Sequence, residues 1–215
     1  MKVAVLCSDE SHPINTYLVR WASECRQKYS ISILHSSEDL EGGDFLFLVS
    51  CSEIVSTELR AKYRYSLVLH ASDLPQGRGW SPHVWAVLAG SEVITLSLLE
   101  AAAKVDEGRI WIKKDIAISK AALWDEINHL IFEAEIELIN RAIDECEMIH
   151  PYEQDDMDMT TYYRKRTPLD SKIDPEKSIV EQFNLIRICD PNRYPAWFEI
   201  DKQKYKLILQ RLDND

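Results

Sequence analysis

Short apolar runs alternate along the first half of the chain with longer stretches whose apolar residues recur every three or four positions, the pattern of buried parallel strands joined by helices. Residues 2–8 (KVAVLCS), 29–34 (YSISIL), 44–49 (DFLFLV) and 66–70 (SLVLH) read as strands, with 44–49 apolar on both faces and therefore internal. Residues 14–27 put Tyr17, Leu18, Trp21 and Ala22 on one helical side, and 54–63 reads as a shorter helix. Strands at 92–99 and 109–113 follow, then the longest helical pattern, 119–147, where Leu123, Ile127, Leu130, Ile131, Ala134, Leu138, Ala142 and Cys146 form one stripe. The alternation predicts an α/β fold over 1–149, a Rossmann-like, mostly parallel sheet flanked by helices. Residues 150–215 are expected to form a small carboxyl-terminal region: a helix from Asp174-Pro175 to about Leu185, and a β-hairpin over 196–209 broken at 201–204.

The chain is organised around residues 66–85, SLVLHASDLPQGRGWSPHVW. The apolar strand is halted by Leu74-Pro75 and by Gly77-Arg78-Gly79, since proline removes a ladder donor and glycine admits positive φ. Ser81 is placed to cap a helix with Pro82 at its first position, and Gly90 to close it. His70 then lies where a parallel strand runs out, the edge of an open α/β sheet at which ligands bind. Taken alone, it is more simply a half-buried histidine bonded to backbone. Asp106, taken alone, is a turn former between two strands.

Composition narrows the classes. With 36 acids against 25 bases the formal charge is −11, which disfavours a nucleic-acid surface. Five dispersed cysteines without a C-x-x-C pair suit a reduced, cytoplasmic protein with no disulfide framework or zinc site, and Cys51 reads as a small buried hydrophobe. The first apolar run, Val3 to Leu6, is too short for a leader or membrane span. No G-x-G-x-x-G is present, so a dinucleotide site is disfavoured. The acidic stretch 153–158 reads as a solvated loop. After it, Tyr162-Tyr163-Arg164-Lys165-Arg166 reads either as arginines forked toward a diphosphate beside stacking tyrosines or as a surface ion-pair cluster.

The run His70-Ala-Ser72-Asp-Leu74-Pro75, then Arg78-Gly79, Ser81-Pro82 and Trp85, resembles the signature of the folate-dependent formyltransferases, H-x-S-L-L-P followed by R-G-x-x-P and a tryptophan. Val105-Asp106-Glu107-Gly108-Arg-Ile110 is similar to their D-x-G-x-I element. The likeness is good over residues 43–118. It implies N10-formyltetrahydrofolate as formyl donor and His70, Asp106 and Ser72 as catalytic residues. It further implies that Ser50, Cys51, Glu53, Leu74 and Val105 contact the folate, and that Arg78, Gly79 and Trp80 face the acceptor. The family usually carries N-x-H, its asparagine donating to the formyl oxygen; here that position is Val68. A backbone N–H, Ser72 or a water must substitute, or transfer is slow, since one lost oxyanion donor costs on the order of 100- to 1000-fold.

Arg187 through Tyr194-Pro195 to Phe198 resembles the R-x-x-x-x-x-x-Y-P-x-x-F segment of sugar-directed formyltransferases, which adds Arg187 and Tyr194 to the acceptor side with Tyr163, Arg164 and Arg166. About thirty residues follow Leu185, too few for the extra β-barrel that engages tRNA. The resemblance is greatest to the branch serving pseudaminic-acid-type pathways. It implies formylation of a UDP- or dTDP-linked amino sugar, such as a UDP-4-amino-4,6-dideoxy sugar, without metal, and a homodimer. The alternatives are a catalytically silent relative that binds nucleotide sugar or folate, and a formyltransferase for an aminoacyl or peptidyl carrier.

Overall fold

The computed structural model describes residues 1–155 and 160–212; residues 156–158 of the acidic stretch lie outside them. The elements in chain order are β1 (Lys2–Leu6), α1 (Ile14–Cys25), β2 (Ser30–Leu34), β3 (Gly43–Leu48), α2 (Thr57–Arg60), β4 (Tyr63–His70), β5 (Arg78–Gly79), α3 (Pro82–Leu88), β6 (Val93–Glu100), β7 (Ile110–Ala117) and α4 (Trp124–Glu145). Then come β8 (Tyr162–Tyr163), α5 (Phe183–Arg187), β9 (Ala196–Ile200) and β10 (Gln203–Leu207).

Six strands form one sheet in the order β2-β1-β3-β4-β6-β7. The first three neighbouring pairs are parallel and the two involving β6 antiparallel. The expected α/β class with a mostly parallel sheet is thus the observed one. Alternation along each strand divides the core: Val3, Val5, Phe45, Phe47, Leu67 and Leu69 face α1 and α4, whereas Ala4, Leu6, Leu46 and Leu48 pack with Leu40, Val55 and Tyr63 on the opposite side. Helix α4 presses Ile127, Ile131, Leu138 and Ala142 onto the first face. Each fully buried aliphatic there contributes roughly 1.5–3 kcal/mol. Trp21 of α1 ties the two helices by donating to Asn140 at 2.7 Å.

Three local expectations change. The helix expected over 54–63 shrinks to the four residues of α2, capped by Ser56, because Tyr63 and Tyr65 extend β4 backwards and pair with Gly43 and Phe45. Ser81 does not cap α3 with its side chain: its φ of 48° is left-handed, not the extended conformation that aims an N-cap oxygen at the first turn. The helix expected over 174–185 is replaced by turns before α5. There Asp174 accepts from the Glu176 N–H, Glu181 accepts from Ser178, and Gln182 bonds both backbone groups of Asp174, satisfying locally what a helix would satisfy with backbone. The hairpin forms as expected, β9 and β10 turning at Asp201 and Lys202 with φ of 49° and 63°, a two-residue turn with both centres left-handed.

Candidate active site

His70 ends β4 and is 7% exposed; Asp106, in the β6–β7 connection, is 8% exposed. The fold brings them together, His70 Nδ1 lying 3.5 Å from Asp106 Oδ1. Asp106 adopts φ 59°, a left-handed conformation that short polar side chains tolerate, and its Oδ2 accepts the Gly79 N–H at 2.9 Å. The other ring nitrogen, Nε2, is 2.9 Å from the Gly77 carbonyl, which can only accept, so Nε2 carries a proton in this arrangement.

The loop supplying those backbone groups is held from outside. Thr161 Oγ1 accepts the Gly77 N–H at 2.8 Å and its carbonyl accepts from Arg78, while Tyr163 O accepts from Trp80, so β5 pairs in parallel with β8. A Cβ at Gly79, φ 97°, would sit 2.3 Å from Tyr163 O, so the close approach of the two segments requires glycine there. Gln154 donates to the carbonyls of Asp106 and Gly108 at 2.7 and 2.9 Å and accepts from Arg78 at 2.8 Å. Arg78, buried, also faces Glu107 at 3.3 Å and so staples its own loop to the Asp106 turn. Ser72 has its backbone bonded to His70 O and Ser97 Oγ, whereas its buried hydroxyl has no hydrogen-bond partner among the described residues.

The basic and aromatic segment is layered on the helix that follows the loop. Tyr163 stacks on Trp85 at 5.6 Å, Arg164 lies 5.3 Å from the same indole, and Lys165 lies 4.5 Å from Trp80. The arginines do not fork outward. Arg164 pairs with Asp170, holding that carboxyl well below its ordinary range, and Arg166 donates to Asp170 O at 2.8 Å and Ser171 Oγ at 3.3 Å. The ion-pair reading of this patch is the one observed, because Asp170 lies close enough in sequence to capture the guanidinium first. Arg187 is 2% exposed and donates to the carbonyls of Ser119 and Ala122 and to Asn184, anchoring α5 to the start of α4. Tyr194 is exposed beneath Arg193, which pairs with Asp9 in the loop after β1.

The loop after β3 carries Ser50 at φ 46° and is tied to the β1 loop by Ser52 N donating to Ser8 Oγ at 2.8 Å. Glu53 accepts the Ser37 N–H, and the Cys51 thiol is pushed up by burial, as suits a small apolar residue. Leu74 is buried with Leu99, Ile110 and Val68. Ile54, in the loop after β3, and Val105, in the β6–β7 connection, are 83% and 56% exposed.

Further ionisable groups line the same end of the sheet. Burial pushes the Cys7 thiol up to about 11 and pulls His12 down to about 4. His83, in the first turn of α3, is pulled to about 4 by burial and then by His12, His70 and Arg166. Gln154 and Thr161, which hold the loop and the Asp106 turn through backbone groups, carry no motif or periodic signal in the sequence. Two surface hollows of about 400 and 450 Å³ lie instead around α5, lined by Asn184 and Glu181. Among the described residues no cluster could hold a metal, and no helix is long and apolar enough to cross a membrane.

Residues 22–143, more than half the chain, match the formyl transferase family. The chain belongs to that family. Members take the formyl group from N10-formyltetrahydrofolate. The methionyl-tRNA formyltransferase of Ruegeria pomeroyi is 25% identical over 209 residues, covering 95% of this chain and 68% of that one. Other curated relatives are spanned less completely, down to 41% of their length. HypX from Aquifex aeolicus, solved with tetrahydrofolic acid, superposes with a TM-score of 0.79 at 18% identity over 95% of this chain and 36% of its own. A sugar N-formyltransferase from Shewanella superposes with a TM-score of 0.74 at 12% identity, covering 100% and 99%. Both likenesses establish the shared fold.

Proposed function

We propose that this formyltransferase moves the formyl group of N10-formyltetrahydrofolate onto the amine of a nucleotide-linked amino sugar, of the UDP-4-amino-4,6-dideoxy type. The observation that carries the chemistry is the buried His70–Asp106 pair at the mouth of the sheet. Asp106 fixes the ring through Nδ1 while being fixed itself by the Gly79 N–H, and the Nε2–H is a donor able to polarise a formyl oxygen once it leaves the Gly77 carbonyl. The sugar acceptor is supported by the Trp80, Trp85 and Tyr163 surfaces beside the loop, since aromatic faces stack on bases and pyranose rings, and by the net charge of −11, unfavourable to tRNA. Ser50, Ile54 and Val105 would border the folate; Trp80, Tyr163 and Tyr194 would border the acceptor.

The test is tetrahydrofolate release from purified protein with UDP- and dTDP-linked amino sugars and with aminoacyl acceptors. Release with a nucleotide sugar is expected, falling more than about 100-fold in His70→Asn and Asp106→Asn with unchanged thermal midpoints. Release with aminoacyl-tRNA alone moves the acceptor to the class of the curated relatives. A silent binding protein is the second reading, favoured by Val68, which packs among apolar neighbours, and by the Gly77 carbonyl on Nε2; folate binding by calorimetry without release under any acceptor establishes it.

A further inference from the structure

The Asp106 carboxylate can orient His70 only if the backbone that carries it is held in place. That backbone is unusual for a residue other than glycine. Asp106 adopts φ 59° in the β6–β7 connection, a left-handed conformation that persists where the surroundings fix it. Both carboxylate oxygens are committed, Oδ1 lying 3.5 Å from His70 Nδ1 and Oδ2 accepting the Gly79 N–H at 2.9 Å. The carbonyls of the turn are claimed by one side chain from far along the chain. Gln154 Nε2 donates to Asp106 O at 2.7 Å and to Gly108 O at 2.9 Å, so both amide protons go to the two carbonyls that bracket Glu107. Its Oε1 accepts from Arg78 at 2.8 Å, and Arg78 faces Glu107 at 3.3 Å. Two carbonyls on one side and a guanidinium on the other leave this as the one orientation of the amide that bonds every partner. Gln154 is itself placed by backbone: two residues earlier, Tyr152 exchanges hydrogen bonds of 2.8 and 3.0 Å with Ile110, the first residue of β7. On its other side the turn lies against the end of β6, where a Cβ at Gly108 would collide with Glu100 O.

We propose that Gln154 is a positioning residue of the transfer: by holding the Asp106 and Gly108 carbonyls it fixes the left-handed turn that aims the Asp106 carboxylate at His70. This role rests on the formyl-transfer reading above, in which His70 and Asp106 act on the formyl group, and Gln154 enters only through Asp106. Without its two donors the turn keeps two unpaired carbonyls, and Asp106 is free to relax toward an ordinary backbone conformation. The carboxylate then leaves its place beside the imidazole, while the surfaces assigned to folate and acceptor are untouched. A displacement of about 1 Å of this kind costs turnover on the order of 100-fold and leaves binding of the ground state in place.

The experiment compares Gln154→Met and Gln154→Glu with the unaltered chain, following tetrahydrofolate release from 10-formyltetrahydrofolate with whichever acceptor of the panel above supports it. Methionine keeps the length and removes every polar atom; glutamate keeps an oxygen for Arg78 and removes the two donors. Both variants are expected to lose about 10- to 100-fold in kcat, with acceptor KM changed less than about threefold. Added to Asp106→Asn, the Gln154→Met change is expected to cost less than about threefold, because the residue through which it acts is already disabled. The ring nitrogen resonances of His70 in the ligand-free chain, assigned by their loss in His70→Asn, are expected to move in both Gln154 variants. Parental kcat in a folded variant overturns the proposal, since a residue that merely braces the fold lowers the thermal midpoint and leaves turnover of the folded fraction intact. An equal loss with and without the Asp106 carboxylate overturns it too, as do unmoved His70 resonances. Should Gln154→Met not fold, Gln154→Glu decides by the same measurements. Failure of the parent reading is distinct, since the unaltered chain would then release no tetrahydrofolate with any acceptor, and the catalytic role of Gln154 falls with it.

Discussion

Glu135 is a buried acid in the helix that covers the sheet. It sits in the middle of α4 at 5% exposure, surrounded by the residues that press onto the sheet, and its Oε2 has no hydrogen-bond partner among the described residues. Burial raises its pKa to about 8 from an ordinary 4.5. The folded protein therefore holds a proton there that the unfolded chain has already released, so stability is fully present below pH 4.5 and falls as pH rises to about 8. His12 and His83 act oppositely. Their pKa values near 4 lie below the ordinary 6.5, so unfolding takes up protons between those limits and stability rises with pH there. Cys7 titrates between 9 and about 11, beyond the range. Between pH 6.5 and 8 Glu135 is the largest of these contributions, opposed by the two imidazoles, which are still half protonated in the unfolded chain at pH 6.5. At about 1.4 kcal/mol per pH unit, Glu135 lowers stability by roughly 2 kcal/mol across that interval and the imidazoles return somewhat under about 1 kcal/mol, a net fall of roughly 1 kcal/mol. Urea unfolding followed by tryptophan fluorescence at pH 6.5, 7.2 and 8.0 should show this decline in the unaltered chain and none in Glu135→Gln. An equal decline in both proteins would refute the assignment, as would a flat profile in the parent.

Three further outcomes are expected. Gly79→Ala forces a Cβ toward Tyr163 O at a left-handed φ, which should cost about 1–3 kcal/mol and unpair β5 from β8; an unchanged denaturant midpoint is inconsistent with the required close approach. Arg187→Met removes the donor to Ser119 O, Ala122 O and Asn184 and should destabilise by about 2–4 kcal/mol, while the acceptor KM of the folded fraction stays at the parental value; a raised KM with full stability returns Arg187 to the acceptor site. Trp80→Ala should raise the acceptor KM several-fold and leave folate affinity by calorimetry unaltered, and a change confined to folate would reverse the two sides of the loop.

How far the sequence could be read follows from which interactions are periodic. The strands and α4 repeat their apolar residues at the period of the element itself, so β1, β3, β4 and α4 were legible with errors of a few residues. The pairing of His70 with Asp106 was not periodic, but followed from two short elements in a known order, and the geometry agrees with it. What the pattern leaves open is decided by partners it does not name. For Arg164 and Arg166 both a forked and an ion-paired reading fit the sequence, and Asp170 and Ser171 take up their donors, while Arg187 donates to the carbonyls at the start of α4. Residues 174–182 have helix-forming composition, yet their side chains bond their own backbone. Single polar side chains that bridge backbone, such as Gln154 and Thr161, leave no signal in composition or spacing.

Those two bridges couple the two sides of the proposed reaction. Gly77 presents its carbonyl to His70 Nε2 while its own N–H is held by Thr161, and Gly79 presents its N–H to Asp106 while its position is set by Tyr163. The segment around β8 thus helps to set where the loop lies against the His70–Asp106 pair.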